Sequence, residues 1–130
     1  MRQYYICEIC GNEIEMINDS GQIPVCCGKE MKLVKPNSTD GDIEKHIPSC
    51  KIKPEQVKIQ IGEMPHPMGD DHYIKWIALE TVDENGQKGY YRKELKPNCD
   101  PEITFHLCKH EKPVLVTSYC SIHGLWYAII

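Results

Sequence analysis

Hydrophobic and polar residues alternate with the two-residue period of β-strands in much of the chain after about residue 41. Ile59 and Ile61 alternate with polar neighbours in "KIQIG", and aromatic and β-branched residues are frequent in "HYIKWIALETV". Asn85-Gly86, a strong hairpin-turn signal, follows in "DENGQKG". Further strands are predicted in "YYRKEL", "PEITFHLC", "KPVLVTSYC" and "LWYAII". No segment has helical periodicity, so about seven short strands predict an all-β chain with an antiparallel sandwich of immunoglobulin type.

The first 36 residues have a different character. The segments "CEIC", "GNEIEMIND" and "CCGKEM" form a unit too short to bury a useful core alone. A chain below about 40 residues usually needs a metal, disulfides or a partner chain to fold. The polar segment "NSTDGD" then reads as a linker. We therefore predict two units, residues 1–36 and residues 37–130, and a homodimer in which the small unit packs on a partner chain.

Composition and charge exclude several classes of protein. Hydrophobic residues make up 41% of the 130 residues, and no apolar run approaches the roughly 20 residues of a membrane span. The segment "MRQYYICEIC" lacks the apolar core of a signal peptide, so a cytoplasmic location is expected. The net charge of -4 argues against nucleic acid or an anionic membrane as the main partner.

Eight cysteines in a chain expected to stay in a reducing compartment indicate metal ligands rather than disulfides. Cys7 and Cys10 form a C-x2-C pair, and Cys26 and Cys27 supply an adjacent pair after fifteen residues. Four thiolates on a short hairpin suit either zinc or a single iron, and the spacing does not separate the two. Since neighbouring Cys26 and Cys27 cannot both form the usual metal-wrapping turn, a distorted tetrahedron is predicted.

The segment "YCSIHGLW" holds half of a second metal site, because Cys120 and His123 are three positions apart on a turn that ends in Gly124. Isolated histidines occur upstream in "EKHIP", "PHPMG" and "DDHYIKW", at His46, His66 and His72. Any one of them alone would more often be a surface or hydrogen-bonded residue than a ligand.

Taken together, these motifs resemble the desulfoferrodoxin family, the two-iron form of superoxide reductase. The matching segments are "CEIC", "CCGKEM", "EKHIP", "HPM", "HYIKWI" and "CSIHG", in the family's order and over nearly the whole chain. Ser121 departs from the asparagine common in the family, at a position that is not a ligand. The resemblance implies a desulforedoxin-like iron domain in residues 1–36 and a neelaredoxin-like sandwich in residues 37–130.

The resemblance also implies two iron ions per chain. One is held by the four N-terminal cysteines, and the other has four equatorial imidazoles and an axial thiolate, with the sixth position open. The implied ligands of this second iron are His46, His66, His72, His123 and Cys120. Backbone N–H groups after Cys120 are expected to donate hydrogen bonds to its sulfur.

The implied reaction is the one-electron reduction of superoxide to hydrogen peroxide without formation of dioxygen, with a rubredoxin-type protein as electron donor. The resemblance gives Lys45 the role of attracting superoxide and relaying protons, and Glu44 that of binding the iron once it is oxidised. A non-catalytic iron electron-transfer protein is the main alternative. A zinc-stabilised interaction module and a dismutase are further ones.

Three cysteines remain without a role, and burial as small apolar residues is predicted for Cys50, Cys99 and Cys108. His106, Cys108 and His110 are spaced two apart in "FHLCKH", so on a strand they would face one side. This spacing makes an ancillary metal site the less favoured alternative for these three residues.

Overall fold

The structure, a computed structural model, describes residues 2–37, 43–62 and 66–130. The chain divides into two compact units, Met1–Lys35 and Pro36–Ile130, and the predicted boundary falls one residue later. Among the described residues, no helix is long and apolar enough to cross a membrane.

Short antiparallel strands build the first unit. They are β1 (Gln3–Ile6), β2 (Glu13–Met16), β3 (Val25–Cys26), β4 (Lys29–Glu30) and β5 (Lys32–Leu33). The strand order β2-β1-β5 forms one sheet, and β3 pairs with β4 in a separate hairpin. The hydrophobic cluster of this unit consists of Tyr5, Cys7 and Met31, and Tyr4 is buried outside it. This is too little apolar surface to fold 35 residues without further support.

The second unit contains one helical turn and seven strands among its described residues. They are α1 (Ile43–His46), β6 (Pro48–Lys53), β7 (Gln56–Ile61), β8 (Ile74–Val82), β9 (Lys88–Glu94), β10 (Glu102–His106), β11 (Lys112–Cys120) and β12 (Gly124–Ile129). One sheet has the order β10-β7-β6, and the other has the order β12-β11-β8-β9, with antiparallel pairing throughout.

The core of the second unit lies between these two sheets. On β7 the alternating residues Val57, Ile59 and Ile61 are fully buried, as the two-residue period requires. They join Ile77 of β8 and Trp126 of β12 in one hydrophobic cluster. The cluster therefore packs side chains of both sheets against each other, as in a β-sandwich.

The predicted all-β fold is confirmed. The hairpin at Asn85-Gly86 joins β8 to β9, and its turn is closed by Asp83, whose side chain accepts hydrogen bonds from the backbone of Asn85 and Gln87. Two elements were not predicted. The helical turn α1 is too short to produce a periodic pattern, and β6 has mostly exposed side chains and so lacks the apolar alternation of a half-buried strand.

Candidate metal centres

Four sulfur atoms of the first unit come together and are called here the cysteine cluster, formed by Cys7, Cys10, Cys26 and Cys27. Cys7 follows the end of β1, and the turn after it is closed by hydrogen bonds from the Cys7 amide to the Asn12 carbonyl and from the Gly11 amide to the Cys7 carbonyl, 2.8 and 2.9 Å long. The Cys10 amide donates to the Cys7 sulfur at 3.5 Å. This turn presents both sulfurs of the C-x2-C pair to one point.

The sulfur spacing fits a tetrahedral metal. Sulfurs bound tetrahedrally at about 2.3 Å lie about 3.8 Å from one another. The Sγ atoms of Cys10 and Cys26 are 3.6 Å apart, and those of Cys26 and Cys27 are 3.9 Å apart. The adjacent pair imposes a cost on the backbone, because Cys27 has a φ of 53°, in the left-handed region that side chains rarely adopt.

Cys7 and Cys27 of the cysteine cluster differ in pKa. The hydrogen bond from the Cys10 amide lowers the pKa of Cys7 to about 6, while hydrogen bonding of the Cys27 thiol to the sulfurs of Cys10 and Cys26 raises the pKa of Cys27 to about 12. Four neighbouring thiols cannot all ionise unless a cation replaces their protons. The cluster is therefore a binding site for a thiophilic metal. The structure joins none of the eight cysteines in a disulfide.

A second group lies in the second unit and is called here the histidine cluster, formed by His46, His66, His72, His123 and Cys120. His46 is the last residue of α1. His72 lies just before β8 and pairs with Gly69 in a single antiparallel β-bridge. Cys120 ends β11, and His123 lies in the turn before β12. Strand ends and the loops beside them thus bring five side chains from four segments to one place.

The four imidazole rings occupy the corners of a square. In the order His46, His66, His72, His123 and back to His46, neighbouring ring centroids are 4.5, 4.8, 5.0 and 4.8 Å apart, and the diagonal from His46 to His72 is 6.2 Å. Neighbouring rings are steeply inclined to each other, by 66–87°. Nearly equal sides and steeply inclined neighbouring rings fit four imidazoles that surround one metal.

The donor atoms have the spacing of neighbouring ligands on one metal. Two nitrogens bound at right angles, each at about 2.1 Å, lie about 3.0 Å apart. The Nε2 atom of His46 is 3.0 Å from Nε2 of His66 and 3.1 Å from Nδ1 of His123. The Nε2 atom of His72 is 3.1 Å from the Cys120 sulfur, which lies 3.8 Å from Nδ1 of His123. The residues present therefore fit a single metal with nitrogen and sulfur ligands.

The carbonyl of Pro67 determines which ring nitrogen of His66 carries the proton. Its Nδ1 lies 2.6 Å from the Pro67 carbonyl oxygen, which can only accept a hydrogen bond, so Nδ1 carries the proton and Nε2 presents a lone pair to the cluster. Burial, together with the neighbouring imidazoles, lowers the pKa of His66 to about 4. Burial, followed by the charges of His123 and Lys45, also lowers the pKa of His72. Both rings are thus held in the neutral form that binds metals.

Cys120 is fully buried, and its sulfur accepts a hydrogen bond from the His123 amide at 3.3 Å. Burial raises the pKa of the Cys120 thiol, while the amides of His123 and Ile122 oppose that rise. The predicted N–H donors to the sulfur are therefore confirmed. They stabilise a thiolate that burial alone would disfavour.

Lys45 lies next to His46 in α1, and its charge contributes to the lowered pKa of His72. A cation therefore stands within electrostatic reach of the histidine cluster. The Glu44 side chain lies outside the described part of the structure, so its predicted role remains a prediction.

The spacing of "FHLCKH" did not produce a third metal group among the described residues. Strand β10 ends at His106, and the chain turns before His110, which has a φ of 65°. The three side chains therefore do not share one strand face, and no metal-holding group contains them. The prediction of burial is wrong for Cys99 and Cys108, which are exposed on turns, whereas Cys50 is partly buried against the core.

Three further residues contact the histidine cluster or its loops, and of these Trp126 and Ser121 were missed from sequence. Trp126 stacks on His46 and donates a hydrogen bond to the His123 carbonyl. Ser121 and Tyr73 exchange hydrogen bonds, from the Tyr73 amide to the Ser121 hydroxyl at 3.1 Å and from the Ser121 amide to the Tyr73 carbonyl at 2.9 Å. These bonds tie the loop of His72 to the turn of Cys120. No local signal marks either role, because both depend on partners distant in sequence.

Comparisons with known proteins match both units. The sequence profile of the family described as Desulfoferrodoxin matches residues 38–128, and the profile described as Desulfoferrodoxin, N-terminal domain, matches residues 1–34. The chain is 37% identical over 125 residues to a desulfoferrodoxin homolog from Methanothermobacter thermautotrophicus, with 96% of each chain covered. It is 34% identical over 101 residues to a superoxide reductase from Pyrococcus horikoshii, covering 68% of this chain and 88% of that protein. The crystal structure of the superoxide reductase from Treponema pallidum is similar, with a TM-score of 0.78, 27% identity and 98% of each chain covered.

Proposed function

This chain belongs to the desulfoferrodoxin family, and from that premise we propose that it is a superoxide reductase. One superoxide ion takes up one electron and two protons to give one molecule of hydrogen peroxide. The electron comes from an external donor, and no dioxygen forms. The observation that carries this proposal is the square of four imidazoles with the Cys120 sulfur against two of them.

The metal we propose for both clusters is iron. Imidazole and thiolate ligands together suit a redox iron, which supplies a one-electron couple at the histidine cluster. Neutral imidazoles at His46, His66, His72 and His123 hold the cation without adding charge, and Cys120 adds one negative charge and electron density. The cysteine cluster has the four thiolates of an all-sulfur site, to which we also assign iron.

Lys45 is proposed to attract the substrate. A chain with a net charge of -4 repels an anion at long range, so a cation close to the site must reverse the field locally. Lys45 is only partly buried and stands beside His46, and His72 and His123 are also partly exposed. Water can therefore reach this side of the histidine cluster and supply the two protons, with Lys45 as a relay.

Three further assignments complete the proposal. The reaction consumes an external electron, and a small one-electron carrier of the rubredoxin type suits that role. A homodimer is supported by large apolar side chains that the first unit leaves exposed, namely Ile9, Ile14, Ile17, Ile23, Val25 and Leu33. A cytoplasmic location is supported by the proposed use of five cysteines as metal ligands, because an oxidising compartment favours disulfides.

The test is superoxide consumption by the fully reduced, iron-loaded chain under anaerobic conditions, with peroxide and dioxygen both measured. We expect rapid one-electron oxidation of the protein, stoichiometric peroxide and no dioxygen. His123→Ala should abolish the reaction. The matched control is His106→Ala, which removes an exposed histidine outside the cluster and should react as the unchanged chain does.

Other outcomes would contradict the proposal in distinct ways. Evolution of dioxygen would indicate a dismutase. A chain that carries both irons and does not react with superoxide would be an electron carrier instead. A chain that takes up zinc alone and stays colourless would be an interaction module.

A further inference from the structure

Trp126 contacts two members of the histidine cluster from outside it. Its ring stacks on the His46 imidazole with centroids 4.7 Å apart and planes inclined by 25°. Its Nε1–H donates a hydrogen bond of 3.1 Å to the His123 carbonyl. The side chain is 1% exposed, so both contacts are made in the dry core of the second unit.

We infer that Trp126 is a positioning residue, which fixes the ring plane of His46 and the turn of His123 and thereby sets the metal affinity of the histidine cluster. The inference rests on the proposed function only for the identity of the metal.

The stack restricts rotation of the His46 ring about χ2. Rotation about χ2 of histidine has a broad, roughly two-fold profile, so a free ring would sample many planes. A parallel indole at 4.7 Å permits rotation only at the expense of the stacking contact. The His46 Nε2 atom, which lies 3.0–3.1 Å from two other donor nitrogens, therefore stays aimed at the centre of the square.

The hydrogen bond restrains the turn that carries His123. The amide of His123 donates to the Cys120 sulfur at 3.3 Å, and its carbonyl accepts from the indole of Trp126. Both polar backbone groups of one ligand residue are thus occupied, one by a second ligand and one by Trp126. A leucine or phenylalanine could fill the same core volume, yet neither could donate this bond.

The experiment compares Trp126→Phe, Trp126→Leu and the control Phe105→Leu in the full chain. Trp126→Phe keeps a ring over His46 and loses the donor, whereas Trp126→Leu loses both. Phe105 is 2% exposed and packs in the same hydrophobic cluster, on the opposite sheet, so its replacement costs stability without touching the histidine cluster.

The readout is Fe(II) affinity at the histidine cluster. Each protein is first equilibrated anaerobically with a competing chelator. The iron that the cluster retains is then measured by oxidising the sample and recording the thiolate-to-iron absorption. Removing groups that orient metal ligands typically weakens affinity by about 10- to 100-fold, and we expect this loss for Trp126→Leu. Trp126→Phe should lose less, and its iron should show a shifted reduction potential. Phe105→Leu should bind Fe(II) as the unchanged chain does, although its thermal stability falls.

Equal affinity of Trp126→Leu and the unchanged chain would overturn the inference, as would an equal loss in Phe105→Leu. If Trp126→Leu does not fold, Trp126→Phe decides by the same comparison with Phe105→Leu. The chelator assay uses no superoxide, so failure of the proposed activity and failure of this inference are separate results.

Discussion

At the scale of single residues, side chains around the histidine cluster are held by bonds that leave their metal-binding atoms exposed to the site. The Pro67 carbonyl accepts a hydrogen bond from the only N–H of the neutral His66 ring, and the His123 amide donates one to the Cys120 sulfur. These partners are backbone groups, so a change of a neighbouring side chain does not remove them. The chemistry of the site is therefore set by loop shape as well as by the identity of the ligands.

Lys45→Ala should slow the reaction of the reduced chain with superoxide by about 10-fold, because a local cation raises the capture rate of an anion. The difference between the two proteins should shrink as salt is added, since screening weakens the field of Lys45. Stopped-flow or pulse-generated superoxide at several ionic strengths measures this. Lys51→Ala, which removes an exposed lysine from β6, is the control. Equal effects of the two variants would contradict the role of Lys45.

Tyr91→Phe should lower the free energy of unfolding by about 1 kcal/mol, because the Tyr91 hydroxyl donates a hydrogen bond to the Glu111 carboxylate. That bond, burial and the charge of Glu111 raise the pKa of Tyr91 above its ordinary value of 10.0. A raised pKa in the folded chain stabilises it fully below the unfolded pKa, and this contribution is lost as the pH rises through the folded pKa.

The stability difference between the unchanged chain and Tyr91→Phe should thus be constant from neutral pH to about pH 9 and then decrease above about pH 10. Urea unfolding across this range measures it. A difference that grows at alkaline pH would contradict the assigned direction of the pKa shift.

How much of the site follows from sequence depends on how local each contribution is. The cysteine pairs and the "CSIHG" turn place their side chains by short spacings, so the sequence itself marks them as candidate ligands. The stacking of Trp126 on His46 joins residues 80 positions apart and leaves no pattern along the chain. Cys99 and Cys108 were wrongly predicted as buried, because residue type alone does not reveal that they lie on turns.

At the scale of elements, the pairing of β8 with β9 leaves no space for a side chain at one glycine. Gly89 is paired with Thr81, and a Cβ added to Gly89 would clash with the Thr81 Oγ1 atom and approach the Glu111 carboxylate to 3.1 Å. Thr81 is 1% exposed and has no room to move away. Position 89 therefore has space only for glycine, although glycine is generally unfavourable in strands.

Gly89→Ala should lower the free energy of unfolding by about 1–3 kcal/mol, the usual cost of overpacking a tight site. Gly69→Ala is the matched control, because its added Cβ would have nothing within 4 Å, and its effect should stay within about 0.5 kcal/mol. Chemical denaturation of both variants measures the difference. Equal stability of the two would mean that β9 shifts at no cost.

Strands with an apolar alternating face were predictable, and the others were not. The segment "KPVLVTSYC" became β11 at its full length, and every residue from Val116 to Cys120 is buried, on both faces of the strand. Strand β6 pairs with β7 over six residues, yet most of its side chains face solvent. Backbone hydrogen bonds to β7 hold β6 in place, and a hydrophobicity pattern does not reveal such bonds.

At the scale of the whole molecule, the two units differ in what stabilises them. The second unit has a hydrophobic cluster that joins both of its sheets. The first has a hydrophobic cluster of only three residues, one of which is Cys7 of the cysteine cluster. Binding energy at the cysteine cluster therefore contributes to folding of the first unit, as in other small metal-bound domains.

Removing metal with a strong chelator under reducing conditions should unfold the first unit and leave the sandwich folded. Hydrogen–deuterium exchange should then show loss of protection in β1 and β2, with protection retained in β7, β8 and β11. The iron-loaded chain, treated identically without chelator, is the control. Full protection of β1 and β2 in the metal-free chain would show that the small core suffices.

Mössbauer spectroscopy of the chain loaded with enriched iron would resolve the two proposed sites in one sample. The cysteine cluster and the histidine cluster should give two components of equal area, one typical of an all-sulfur iron and the other of an iron with nitrogen ligands. In His123→Ala the nitrogen-ligated component should disappear and the all-sulfur component should remain. A single all-sulfur component in the unchanged chain, or no change in His123→Ala, would contradict an iron site built from His46, His66, His72, His123 and Cys120.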